Sequence, residues 1–228
     1  MKHFKNFKTC VYCTAQTLAS LDETTLARDY AYLEKYVGID KVYLETYRDG
    51  TWVSIDHMKM IQNFFKEHGV EIAGGITTVT PPLEKDDVKR QRLFQTFCYS
   101  NEAMRTYLKK IVTYTAELFD EIILDDFFFT SCTCDDCLRE RSNLSWAEFR
   151  SKKMIDVAEN LVLKPAKLAN PSVKVTIKYP NWRESYHETG YVPKIQPSMF
   201  DKIYTGTETR NTAHTDQHLP RYLSYSIM

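Results

Sequence analysis

The chain has 228 residues, which is enough for one large domain with a complete hydrophobic core. Apolar residues make up 43% and charged residues 26%, values typical of a globular protein. Lysine plus arginine and aspartate plus glutamate number 30 each, so the charge gives no indication of a nucleic acid or other polyanionic partner.

Hydropathy argues against a membrane protein. No apolar run reaches the roughly 18 residues of a transmembrane helix, so we expect no membrane partner. The basic first residues lead into no apolar stretch of signal-peptide length, which predicts a cytoplasmic protein if Met1 is the native start. A secreted or periplasmic location stays open if residues precede Met1, and the oligomeric state stays open as well.

Short apolar segments, several of them β-branched, recur along the chain and predict strands. They are Thr9–Tyr12, Lys41–Glu45, Glu71–Ile76, Glu121–Asp125, Lys174–Tyr179 and Lys202–Gly206. Several are apolar on both faces, as in a parallel sheet that helices cover. No linker or low-complexity tract interrupts the pattern, so we expect a single domain over residues 1–228.

Amphipathic segments between these strands predict helices. Their start signals are the capping boxes Ser20–Glu23 and Ser145–Glu148 and the N-cap candidates Ser54 and Ser100. Gly69 is expected to end the helix that Ser54 begins. The helix from Trp146 is expected to end around Pro165 and before Asn170.

Alternating strands and helices of these lengths predict parallel pairing through right-handed crossovers, in a closed barrel or in an open doubly wound sheet. The open sheet normally has a glycine-rich phosphate loop after its first strand, and this chain has no glycine there. Polar residues follow the strands instead: Glu45, Thr77, Asp125, Lys178 and Glu208. This pattern favours an α/β fold of the (β/α)₈ TIM barrel type.

The barrel is expected to be incomplete. About six strand-helix units are present, and the last two strands of an eight-stranded barrel are lacking. We expect either a fragment of a longer chain, which is the favoured interpretation, or an open part-barrel whose exposed edge must be covered.

The strongest local signal is the segment Phe119–Phe129, in which an apolar strand ends in the two carboxylates Asp125 and Asp126. Because strand side chains alternate, only one of the two can point into the barrel mouth. A helix cap or a salt-bridged strand end is the simpler interpretation. A catalytic role is favoured because unpaired carboxylates beside bulky apolar groups cost free energy unless they serve a function. Desolvation also raises a carboxyl pKa.

Glu208, which follows the sixth predicted strand, is the candidate partner. Glycoside hydrolysis needs two carboxyl groups on either side of the bond, and the ends of the fourth and sixth strands lie across part of a barrel mouth. Arg210 is a candidate substrate contact that orients a hydroxyl or keeps Glu208 ionised. A surface ion pair between these two residues is the alternative.

Further candidate substrate contacts follow other strands: Glu45, Arg48, Lys178, Tyr179 and Trp182. Carbohydrate sites combine an aromatic platform with charged groups that bind hydroxyls. Tyr179 and Trp182 offer such a platform, and ordinary loop packing is the alternative.

Cys132, Cys134 and Cys137 lie within six residues of one another, a spacing typical of a tetrahedral zinc site. The candidates for a fourth ligand are Cys98, Cys10, Cys13 and His187. A closed structural zinc is favoured over a catalytic one, because catalytic sites keep an open position. Free or redox-active thiols are the alternative.

The strand end Leu124–Phe129, followed by the Cys-x-Cys-x-x-Cys loop, resembles TIM-barrel proteins classed as glycoside hydrolases. The layout is also similar to that of the α-galactosidase superfamily, whose nucleophile ends the fourth strand and whose acid/base ends the sixth. This resemblance implies that Asp125 is the nucleophile and Glu208 the acid/base. The chain differs in having a glutamate at the second position, where that superfamily has an aspartate.

We therefore expect an enzyme that cleaves a glycosidic bond in a carbohydrate substrate. Two alternatives come from other functional classes. One is a non-catalytic carbohydrate-binding barrel or inactive fragment, and the other is a zinc-dependent hydrolase that uses the cysteine loop.

Overall fold

The structure, a computed structural model, describes residues 4–80, 92–125, 127–180 and 186–205. Its strands are β1 (Cys10–Cys13), β2 (Lys41–Arg48), β3 (Thr51–Trp52), β4 (Glu71–Ile76), β5 (Glu121–Leu124), β6 (Lys174–Tyr179) and β7 (Lys202–Thr205). All of the predicted strands are present at their predicted places, and β3 is an addition.

Helices connect the strands. They are α1 (Ala15–Ser20), α2 (Glu23–Tyr36), α3 (Ile55–Glu67), α4 (Glu102–Leu118), α5 (Asp135–Arg141), α6 (Trp146–Val157), α7 (Lys164–Ala169) and α8 (Tyr186–Thr189). A π-helical stretch, Ala158–Leu163, joins α6 to α7. No helix in the described part of the chain is both long and apolar enough to cross a membrane.

The sheet is built from parallel strands that neighbour one another in chain order, β1-β2-β4-β5-β6-β7, while β3 pairs antiparallel with β2. This order lacks the reversal that marks an open doubly wound sheet. The sheet curls into part of a barrel with the helices on its outer face. The predicted incomplete (β/α)₈ barrel is therefore confirmed.

Alternation along the strands separates two apolar layers. Val42 and Leu44 of β2 belong to the main core between the sheet and the helices. Tyr43, which separates them in the sequence, points to the opposite face of the sheet. Tyr43 packs with Ala73 and Ile123 in a small second cluster on the concave face. The concave face is thus partly filled by side chains, as in a barrel interior.

The helix starts follow the capping rules, with two differences from prediction. Ser54 and Ser145 cap α3 and α6 as expected. The prediction for Ser20 was wrong: it ends the short helix α1, and Asp22 caps α2. Ser100 was also wrong, because Asn101 takes the N-cap position of α4 and accepts the backbone N–H bond.

The helix from Trp146 passes the position where it was expected to end. Pro165 falls in the first turn of α7, directly after the π-helical stretch, and the helix ends at Ala169. Proline lacks an N–H, and this is tolerated where the regular bonding ladder is already interrupted. The expected end before Asn170 is confirmed.

Candidate active site

Asp125 directly follows β5 and lies at the rim of the barrel interior. The residue is only 8% exposed. Arg48 Nη2 donates to Oδ2 at 3.0 Å, and Lys178 Nζ donates to Oδ1 at 3.0 Å. The two cations extend from β2 and β6, so three strands deliver charged side chains to one point. Their positive charge compensates the buried carboxylate.

Glu45 of β2 is fully buried beside this ion pair and accepts several hydrogen bonds. The Tyr12 hydroxyl donates to Oε1 at 2.8 Å, and the Ala15 N–H donates to Oε2 at 2.7 Å. The Thr77 hydroxyl also donates to Oε1. Arg48 Nε lies 2.8 Å from Oε2 and 3.1 Å from Oε1. Arg48 therefore links Glu45 to Asp125.

Arg48 keeps its charge in this site. Burial lowers the pKa of its guanidinium, but the hydrogen bond and the negative charge of Glu45 outweigh burial, so the net pKa is raised. The guanidinium also lies over the ring of Phe127, 5.5 Å from its centroid. We call the connected residues Tyr12, Glu45, Arg48, Asp125 and Lys178 the rim network.

The position of Tyr12 depends on Gly75. A Cβ atom at Gly75 would lie 2.7 Å from the Tyr12 hydroxyl oxygen, which is closer than real Cβ atoms approach any neighbour. Burial raises the pKa of Tyr12 well above its ordinary value, and the charge of Glu45 adds to this effect. The phenol therefore stays neutral and can donate to Glu45.

A cavity of about 230 Å³ opens on the concave face beside the rim network. Its walls include the rings of Tyr12, Tyr43 and Tyr204, and Asp125 and Lys178 supply its charged groups. Ligand pockets typically combine apolar and aromatic walls with a few convergent polar groups. The rim network thus borders a cavity of the right chemical character for a small polar ligand.

Cys98 joins the predicted metal cluster. The Sγ atoms of Cys98, Cys132, Cys134 and Cys137 all lie within 4.8 Å of one another. Cys98 Sγ is 3.6 Å from those of Cys134 and Cys137. Four thiolates at the Zn–S distance of about 2.3 Å around a tetrahedral ion would lie about 3.8 Å apart. The donor set therefore fits zinc.

The other fourth-ligand candidates lie elsewhere in the described part of the chain. Cys10 and Cys13 belong to β1 and His187 to α8, outside the cluster. Burial raises the pKa of Cys13 to about 11, so this thiol stays protonated.

Protonation within the cluster is shared unequally. Hydrogen bonds from Cys137 and Cys98 lower the pKa of Cys132, because they stabilise its thiolate, whereas the pKa of Cys137 is raised. Arg150 interacts electrostatically with both of these thiols. A nearby cation favours the thiolate form that a metal needs.

Several predicted site residues lie outside the described residues: Asp126, Trp182, Glu208 and Arg210. Their roles stay predictions. Tyr179 is 4% exposed and packs against Tyr186 and Tyr191, and burial raises its pKa to about 12. In this arrangement its ring serves aromatic packing.

Tyr12 was not predicted as a site residue, and Arg48 was predicted to follow the second strand, whereas it is the last residue of β2. The dipeptide Asp49–Gly50 is the signal that could have corrected this, because both residues have positive φ and turn β2 into β3. The hairpin extends β2 to Arg48 and holds its side chain against Glu45. The packing of Tyr12 on Gly75 has no comparable sequence signal.

Comparison with known proteins assigns the chain to a family. Residues 1–228 match the family described as "Probable glycosyl hydrolase, catalytic domain". The uncharacterized protein SSO3021 of Saccharolobus solfataricus is 34% identical over 230 aligned positions, which cover 90% of this chain. The aligned region spans only 38% of that relative's length.

Solved structures support the barrel. The β-galactosidase of Marinomonas ef1 aligns with a TM-score of 0.60 at 13% identity, over 87% of this chain and 40% of that one. The β-galactosidase of Rahnella sp. R3 aligns with a TM-score of 0.63 at 12% identity, over 91% and 41%. At such identities the likeness concerns the fold alone. The family match covers the whole chain, however, and the protein therefore belongs to this family of glycosyl hydrolase catalytic domains, as the resemblance at residues 119–137 implied.

Proposed function

We propose that this domain cleaves glycosidic bonds in a carbohydrate substrate at the carboxyl ends of its parallel strands. The observation that carries the proposal is Asp125, a buried carboxylate at the barrel rim between Arg48 and Lys178. Membership of a glycosyl hydrolase family supports it. Barrel enzymes place their catalytic groups at this end of the strands.

In the proposed reaction, one carboxyl group protonates the leaving glycosidic oxygen as its bond to the anomeric carbon breaks. The other, ionised carboxylate attacks or stabilises that carbon. Water then supplies the new hydroxyl and gives up one proton to a carboxylate, which restores the number of protons on the pair. We assign the ionised role to Asp125, with Asp126 as its neighbour, and the acid/base role to Glu208. A separation of about 5–5.5 Å between the carboxyl groups would mean retention, and roughly 6.5–9.5 Å inversion.

The cations of the rim network have positioning and binding roles in this proposal. Arg48 and Lys178 fix the carboxylate of Asp125 from two sides, and Lys178 also lines the cavity where substrate hydroxyls would lie. Glu45 is fully buried and acts through Arg48, so we assign it a positioning role.

A glycoside screen tests the proposal. Wild-type protein is assayed on a panel of disaccharides and oligosaccharides, followed by Asp125→Asn, Asp126→Asn and Glu208→Gln on each substrate that is cleaved. We expect the loss of a catalytic carboxylate to lower kcat by about 100-fold or more. Glu121→Gln, at the opposite end of β5, is the matched control and should retain turnover.

Each outcome of the screen has a distinct meaning. Wild-type rates in Asp125→Asn and Glu208→Gln on a confirmed substrate would refute the assignments. Binding of saccharides without cleavage by the wild type would favour the carbohydrate-binding barrel instead.

We also propose that Cys98, Cys132, Cys134 and Cys137 hold a structural zinc ion. Four thiolate ligands fill a tetrahedral shell and leave no open position for a substrate. The ion would join the loop after β4, which carries Cys98, to the loop after β5, which carries the other three. Both loops lie at the barrel rim, so the metal would fix the surroundings of Asp125.

Metal analysis and thermal unfolding test the zinc proposal. We expect one equivalent of zinc in the wild type, and in Cys98→Ser a loss of zinc together with a large fall in Tm. Cys13→Ser is the control and should retain the metal. If chelation abolished activity without lowering Tm, the zinc-dependent hydrolase would be favoured. If zinc-free wild-type protein had the same Tm as protein supplied with zinc, the proposed site would be refuted.

A further inference from the structure

Phe94 is an exposed aromatic residue in an unfavourable backbone conformation at the barrel rim. The residue is 59% exposed, and its φ is +51°. Gln95 also has a positive φ, of +54°. The left-handed region is sterically disfavoured for bulky residues, and two in succession are rare. The chain therefore holds this ring outward at a cost in conformational energy.

Contacts on both sides fix this conformation. The Leu93 N–H donates to Ser131 Oγ at 2.8 Å. The Gln95 carbonyl accepts from the Thr80 N–H at 2.9 Å and from the Thr80 hydroxyl at 3.0 Å. Backbone strain that the surroundings maintain in this way is concentrated at functional sites.

The ring of Phe94 is connected to the rim network through Phe127. The centroids of Phe94 and Phe127 are 5.3 Å apart, and the two ring planes lie at 82° to each other. The rings therefore meet edge to face and are not stacked in parallel. Arg48 lies over Phe127 and donates to Asp125. A chain of direct contacts thus runs from Phe94 through Phe127 and Arg48 to the proposed catalytic carboxylate.

We propose that Phe94, supported by Phe127, is an aromatic platform on which a sugar ring of the substrate stacks beside Asp125. The proposal rests on the proposed glycosidase function and adds a binding subsite to it. The C–H face of a pyranose ring is apolar and packs on the negative face of an aromatic ring. Its hydroxyls would then project toward the cations of the rim network.

Binding to an array of neutral oligosaccharides containing galactose, glucose, mannose and xylose tests the platform. Asp125→Asn is used as the background, so that bound saccharides are not cleaved. Adding Phe94→Ala should weaken binding about tenfold, and Phe94→Trp should retain it. Leu93→Ala is the matched control, because Leu93 is 55% exposed but has no ring, and it should bind within about twofold of the background.

The platform and the glycosidase function fail in different ways. Three results would overturn the platform: unchanged binding when Phe94→Ala is added to the Asp125→Asn background, an equal loss of binding when Leu93→Ala is added instead, or no bound saccharide at all. Saccharides that bind through Phe94 but are never cleaved by the wild type would overturn the glycosidase function and leave the platform in place.

Discussion

The two ends of β5 carry carboxylates with similar ionic partners. At the amino end, Glu121 accepts from Lys41 Nζ and from Lys202 Nζ, each at 2.7 Å. At the carboxyl end, Asp125 accepts from Arg48 and Lys178, each at 3.0 Å. A pair of cations therefore does not by itself distinguish a catalytic carboxylate from a structural one.

The surroundings distinguish the two ends. Glu121 has both oxygens occupied by lysines, and it borders a cavity of about 510 Å³ whose lining, among the described residues, includes no aromatic side chain. Asp125 is connected through Arg48 to the fully buried Glu45 and borders the aromatic cavity. Loops that carry Phe94 and the cysteine cluster adjoin only this second end. Both ends therefore have a cation pair and a cavity, and what distinguishes the carboxyl end is the second buried carboxylate, Glu45, and the aromatic walls of its cavity.

Replacing one cation by the other type at each end should give the largest difference in kcat/KM between the two ends. Lysine in place of Arg48 has one ammonium group and cannot contact Glu45 and Asp125 in the same fixed geometry. We expect Arg48→Lys to lower kcat/KM by about 10- to 100-fold. The matched change at the amino end, Lys41→Arg, should leave kcat/KM within about threefold of wild type. Steady-state kinetics measure both, and equal losses would remove the distinction between the ends.

Filling the space at Gly75 should have a smaller effect, again confined to the carboxyl end. A methyl group there must displace the ring of Tyr12 and with it the hydrogen bond to Glu45. We expect Gly75→Ala to lower the free energy of unfolding by about 1–3 kcal/mol and to reduce kcat. Urea unfolding measures the first. In a double-mutant cycle with Tyr12→Ala, which removes the ring, Gly75→Ala should cost less stability than in the wild type, and an equal cost would mean that the contact with Tyr12 is not the cause.

The smallest predicted effect concerns pH and the amino end. Burial raises the pKa of Glu121, but hydrogen bonds from Lys202 and Lys41 outweigh it, so the net pKa lies below the ordinary value of 4.5. A depressed folded pKa contributes stability that is present above the unfolded pKa and is lost as the pH falls through the folded pKa. The free energy of unfolding of Glu121→Gln should therefore depend less on pH in the acid range than that of the wild type. The same pH dependence in both proteins would contradict this.

Much of the fold could be predicted because its signals are local. Apolar runs of strand length and capping residues such as Ser54 and Ser145 are readable in a short window of sequence. The helix boundaries that were predicted wrongly have local causes. Asp22 is a second good N-cap residue close to Ser20. The π-helical stretch before Pro165 interrupts the regular hydrogen bonding, so that the missing N–H of the proline is tolerated.

The site was less predictable because its contacts are not local. Asp125 was a candidate because of its own strand end, and Cys98 was one of four candidates that only the packing of two loops could separate. The bond from Arg48 to Asp125 spans separate strands, and no pattern signals it. Phe94 was missed because its exposure follows from a left-handed backbone that phenylalanine rarely adopts.

The most direct test of the central claim is a crystal structure of Asp125→Asn with an oligosaccharide that the wild type cleaves. We expect the anomeric carbon of the scissile bond to lie in the cavity at the carboxyl end of β5, about 3–3.5 Å from a carboxamide or carboxylate atom of residue 125 or 126. A saccharide bound at the amino end of the strands, or on the outer helices, would contradict it.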